Sequence, residues 1–119
     1  MTLTGHRVSY SADGQQIVTA NVDKTAKVWD ANTGKELMTL KGHEGEVWSA
    51  AYSPDGHRIV TASWDYTAKV WSAKTGTELF TLKGHDDRVW SAAYSPDGQR
   101  IVTASGDNTA KVWDAQAGT

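Results

Sequence analysis

Histidine, aspartate and threonine recur together in this 119-residue chain, at His43, Asp65 and Thr61 and again 42 residues on at His85, Asp107 and Thr103. A base, a carboxylate and a hydroxyl are the parts of a nucleophilic hydrolase, so a catalytic reading is the first to weigh. Recurrence argues against it. A catalytic constellation is a single strained cluster at a cleft with an oxyanion hole beside it, whereas parts repeated at one offset do structural work. The four histidines (His6, His43, His57 and His85) show no paired ligand spacing, and the absence of Cys excludes disulfides and thiolate metal sites. No glycine-rich phosphate loop leads into a helical pattern. The expectation is a protein that is not an enzyme, with no catalytic residue, no metal and no cofactor.

The elements that carry these residues are repeats. Leu40–Thr77 aligns with Leu82–Thr119 without a gap, and roughly three quarters of the positions are identical. Tyr10-Ser-Ala-Asp-Gly14 matches Tyr52-Ser-Pro-Asp-Gly56 and Tyr94-Ser-Pro-Asp-Gly98, and Trp29, Trp71 and Trp113 share one phase. Within a unit, Glu46–Ser53 reads as a strand that ends in a Ser-Pro-Asp-Gly turn, where Pro fixes φ and Gly accepts φ > 0. Arg58–Ala62, Thr67–Trp71 and Glu78–Leu82 read as three further strands, rich in β-branched residues and separated by turns. Four short antiparallel strands every 42 residues make one propeller blade. The fold class is therefore all-β, with three four-stranded blades over approximate units 1–34, 35–76 and 77–119.

The units resemble WD40 repeats. The Gly-His dipeptide of that family stands at Gly42-His43 and Gly84-His85, and its Trp-Asp at Trp29-Asp30 and Trp113-Asp114; the middle unit has Trp71-Ser72 instead. Near-identity between units is what recent amplification of a bacterial propeller, or design, produces. The resemblance implies a buried polar chain in each blade. By position it runs His43–Asp65–Thr61–Trp71 in the middle unit, His85–Asp107–Thr103–Trp113 in the third, and His6–Asp23–Thr19–Trp29 in the first. The chemistry is self-consistent: an ionised Asp only accepts, His and Thr can donate, and the indole N–H can close the chain on Thr or His.

Positions that vary between units are not demanded by the repeat. Trp64 and Tyr66 stand where the third unit has Gly106 and Asn108, and in related propellers this turn lies on the face used for partners. Trp48, Trp90, Glu46 and Arg88 belong to the same face by position, with packing between blades as the competing role of the two tryptophans. Lys27, Lys69 and Lys111 repeat at one strand position and read as a solvated stripe, and His57 as a solvated turn residue.

Composition and closure bound the function. The formal charge of −2 lacks the basic excess of a nucleic-acid or membrane-surface binder, and the chain has no run of transmembrane length. A cytoplasmic or recombinant soluble protein is expected. Propellers close with about four to eight blades, and three leave two blade faces uncovered. The sequence stops where its third unit would begin a fourth strand, and it opens with Met1-Thr2-Leu3, which matches Phe80-Thr81-Leu82 at the end of such a strand. The expected partners are therefore copies of the same chain in a head-to-tail ring, a nine-blade homotrimer being favoured over a six-blade homodimer because compression crowds Trp48 and Trp90. The alternative function is a protein- or peptide-binding module that uses the Trp-rich face. The first unit is five residues short, so its innermost strand should be stunted or displaced.

Overall fold

In a computed structural model, residue 5 and residues 7–119 are described. They form eleven strands and no helix among the described residues. The strands are β1 (Arg7–Tyr10), β2 (Gln16–Ala20), β3 (Thr25–Asp30), β4 (Glu36–Lys41), β5 (Val47–Tyr52), β6 (Arg58–Ser63), β7 (Thr67–Ser72), β8 (Glu78–Lys83), β9 (Val89–Tyr94), β10 (Arg100–Ser105) and β11 (Ala110–Asp114). Each sheet is an antiparallel meander: β1–β4, β5–β8 and the three strands β9–β11. Among the described residues the third sheet has no fourth strand beside β11, as the reading of that unit anticipates.

Local chemistry fixes the turns. In the β5–β6 turn the Asp55 carboxylate accepts the Ser53 hydroxyl at 2.7 Å and the His57 N–H at 2.9 Å, while Ser53 Oγ accepts the Arg58 N–H at 3.0 Å. The same bonds recur in the β1–β2 and β9–β10 turns. The Asx-type bonds hold each carboxyl below its ordinary pKa, with the serine hydroxyl as the main cause.

Two clusters of buried side chains fill the spaces between sheets. Val18, Val28 and Leu40 of the first sheet meet Val47, Ile59 and Trp71 of the second. Val60, Val70 and Leu82, from the opposite face of the second sheet, meet Val89, Ile101 and Trp113 of the third. Alternation along each central strand thus feeds two different cores, and both faces of the middle blade are buried.

Two departures from regular pairing matter for the site. Between β5 and β6 the register shifts at Val47/Ser49, and between β9 and β10 it shifts opposite the same position, so Trp48 and Trp90 are the extra residues of β-bulges. A bulge re-aims a side chain away from the pleat. The first blade has no counterpart. β1 is four residues long, keeps the Tyr10↔Ile17 register that corresponds to Tyr52↔Ile59, and starts at Arg7. The expected stunting is what the five missing residues produce.

Candidate functional site

The polar chain of the middle blade is wired through His43. Its Nδ1 lies 2.8 Å from Asp65 Oδ2 and its Nε2 2.6 Å from Thr61 Oγ1, which also accepts the Trp71 indole N–H at 2.8 Å. The ionised carboxylate accepts only, so Nδ1 carries the proton toward Asp65 and Nε2 accepts from the Thr61 hydroxyl. Burial pushes the Asp65 carboxyl up, but the His43 and Thr67 bonds and the Glu44 N–H outweigh it and hold the group well below the carboxylate range. The third blade repeats the arrangement: His85 lies 2.9 Å from Asp107 and 2.7 Å from Thr103, and Trp113 donates to Thr103 at 2.9 Å. The Thr109 hydroxyl and the N–H groups of Asp86 and Thr109 keep Asp107 low as well. In the first blade Trp29 donates to Thr19 at 3.0 Å, and Asp23 accepts from Thr25; His6 lies outside the described residues.

The order of groups is that of a hydrolase triad, with Thr in the place of the nucleophile. The chemistry available to it is different. Thr61 is fully buried and its oxygen is already engaged by Trp71 and His43, so no substrate carbonyl can approach it. Gly42 explains the glycine of the Gly-His pair: a Cβ there would meet Glu78 Oε1 at 2.7 Å and the Trp71 ring at 3.1 Å. The chain backbone lies directly on the indole that the polar chain anchors.

The expected partner-face residues divide into two groups. Trp48 and Trp64 are stacked, with centroids 4.7 Å apart and planes at 12°, and Trp90 meets both edge-on at 5.8 and 5.4 Å. Arg88 lies over the Trp64 ring at 4.2 Å. This cluster bridges the second and third blades, with Trp48 and Trp64 half-buried and Trp90 40% exposed. Glu46 enters through its backbone carbonyl, which accepts the Trp64 N–H at 2.9 Å. Tyr66 is exposed and stands apart, in the left-handed region at φ 77°. Met1, Thr2 and Leu3 lie outside the described residues.

The lysine stripe needs correction. Lys69 is buried, bonded to Glu78 at 3.0 Å and to Thr81 at 2.9 Å, and Lys27 pairs with Glu36 at 3.0 Å. These lysines tie the third strand of a blade to its fourth. Sequence reasoning passed over one more feature, the junction of Tyr94 with Arg58. Tyr52 donates to Gln16 at 3.1 Å across the first junction, but Arg58 replaces that acceptor at the second. The Tyr94 hydroxyl is buried there without a hydrogen-bond partner among the described residues, and burial raises its pKa to about 12.

The family model for the WD domain, G-beta repeat, matches three stretches, residues 1–30, 34–72 and 76–114. The chain belongs to the WD40 family. WD40 members are generally non-catalytic scaffolds, which agrees with polar chains that hold sheets together. Similar proteins include eukaryotic translation initiation factor 3 subunit I of Eremothecium gossypii, 42% identical over 52 residues that make up 40% of this chain and 15% of that protein. Topless-related protein 4 of Arabidopsis thaliana is 50% identical over 44 residues, 35% of this chain and 4% of the relative. Dynein assembly factor with WD repeat domains 1 of Xenopus laevis is 44% identical over 42 residues, 35% of this WD40 chain and 10% of the relative. The matched part therefore spans only a small share of the length of these curated relatives.

Proposed function

We propose that this chain is a non-catalytic WD40 scaffold that closes head-to-tail with its own copies into a homo-oligomeric propeller. The observation that carries the reading is the identity of the two uncovered blade faces. Val102 and Val112 of the third blade are 44% and 66% exposed, whereas Val60 and Val70, at the same positions one blade back, are fully buried. On the opposite face of the first blade Val8 is 65% exposed, where its counterpart Ala50 is buried. These two faces are the two halves of an interface that the chain already builds twice. Joining them between copies makes a heterologous contact that repeats until it closes.

In this reading Met1-Thr2-Leu3 of one copy supplies the fourth strand beside β11 of the next, taking the place of Phe80-Thr81-Leu82. A nine-blade homotrimer is favoured over a six-blade homodimer, because the Trp48–Trp64–Trp90 cluster already fills the corner between two blades. Sedimentation equilibrium tests the proposal: a species of three or two chains is expected, and Val112→Lys should give a folded single chain. A folded wild-type monomer at all concentrations overturns it.

Tyr66 and Trp90 support a second role, binding of proteins or peptides, since both aromatic side chains are exposed, Trp90 within the cluster and Tyr66 apart from it. Loss of a captured partner in Tyr66→Ser, with the oligomer intact, is the expected result; capture unchanged in both Tyr66→Ser and Trp90→Ala counts against it.

A further inference from the structure

The corner of the third blade differs from its counterpart one blade back at two facing positions. In the second blade, Trp64 lies on Trp48, and Gly45 makes room for that turn: a Cβ on Gly45 would stand 2.8 Å from the Asp65 backbone nitrogen and 3.1 Å from the carbonyl carbon of Trp64. In the third blade, Gly106 replaces Trp64 and Asp87 replaces Gly45. The ring that would stack on Trp90 is missing, and a carboxylate stands beside the opening. The Cβ position of Gly106 is 3.2 Å from Asp87 Oδ2 and 3.3 Å from the Trp90 Nε1. Asp87 Oδ1 accepts the Arg88 N–H at 2.7 Å, while Oδ2 takes no hydrogen bond among the described residues.

We propose that Trp90, Gly106 and Asp87 form a seat for an arginine side chain of a partner polypeptide. The lost indole defines the shape, since a planar group is what stacks on tryptophan at this corner. Asp87 defines the charge. A guanidinium is the side chain that is both planar and cationic, able to lie on an indole face while donating to a carboxylate. The chain itself makes an arginine–indole contact across the junction of the second and third blades, where the Arg88 guanidinium lies over Trp64 at 4.2 Å. A further carboxylate at Asp86, exposed in the same turn, adds to the negative field that favours a cation. The proposal rests on the reading of this end as a partner face, and each chain carries one such corner.

The test is a titration of the intact protein followed by the Trp90 indole N–H resonance, assigned with Trp90→Phe. The probes are three capped peptides, acetyl-Gly-Xaa-Gly amide with arginine, lysine or glutamate at the centre. Saturable movement with the arginine peptide is expected, weaker with lysine and absent with glutamate. Asp87→Asn should weaken the arginine response about fivefold or more. The double variant Asp87→Gly/Gly106→Trp rebuilds the second-blade pair and should abolish the response, with the remaining backbone resonances reporting that the fold is kept. An equal response to all three peptides overturns the arginine seat and leaves the partner face standing. No response to any peptide, or an unchanged response in Asp87→Asn, overturns the seat as well. Failure of the partner-face reading itself is read separately, from capture by the Tyr66 and Trp90 variants.

Discussion

At the scale of the residue, a single oxygen decides the stability of a blade. Thr61 Oγ1 accepts the Trp71 N–H and donates to His43, whose other nitrogen donates to Asp65. Thr61→Val keeps the volume but leaves a buried indole N–H and a buried imidazole nitrogen without partners. A loss of about 2–4 kcal/mol is expected, read from the urea midpoint. Asp65 links the same chain to pH. Its folded pKa is depressed below the unfolded value of about 3.9, so its contribution is fully present above that value and fades as pH falls through and below it toward the folded one. Wild type should lose stability in acid from about pH 5 downward, and Asp65→Asn should flatten that slope. Tyr66 points the other way. Its φ of 77° is costly for a bulky side chain, and the third blade uses Asn108 at the same place with φ 69°. Tyr66→Asn should stabilise the fold by about 0.5–1 kcal/mol, since asparagine tolerates this conformation. The residues of the polar chains were legible because they recur in register; their wiring was not. That His43 stands between Asp65 and Thr61 follows from which turn lies over which strand, and the repeat is silent on that.

At the scale of the element, the bulges and the junctions were hidden. Strict alternation along Glu46–Ser53 gives Trp48 no reason to leave the pleat; the extra residue opposite β6 turns it toward Trp64 and Trp90. Strand number and order were readable from turn residues, whereas a one-residue irregularity leaves no such mark. Comparison of the two blade junctions yields a prediction with opposite signs at equivalent positions. The Tyr52 hydroxyl donates to Gln16, so Tyr52→Phe should cost about 0.5–1.5 kcal/mol. The Tyr94 hydroxyl is buried beside Arg58 without a partner, so Tyr94→Phe should be neutral or stabilising in the same thermal denaturation. Burial also raises both phenols to about 12, above the ordinary value of about 10. The neutral forms are thus favoured in the fold, and stability present below about pH 10 is lost as pH rises toward 12.

At the scale of the whole molecule, the strengths of the contacts are unequal. The two junctions inside the chain are tethered by covalent turns and enclose continuous apolar clusters. The proposed seam between copies lacks the tether. The first blade brings no counterpart of Val47 or Trp48 to it, because those positions fall within the five missing residues. This deficit falls on the seam, so dilution should open it first. Mass action makes the stability of a ring depend on chain concentration, whereas the internal junctions have no such dependence. On dilution, light scattering should therefore report a fall from the oligomer to the 12.9 kDa chain while the exciton circular dichroism of the stacked Trp48–Trp64 pair, which lies in the internal junction, stays unchanged. An exciton signal that fades in step with the loss of mass would mean that blade packing depends on the ring, and the seam would then be no weaker than the junctions within the chain.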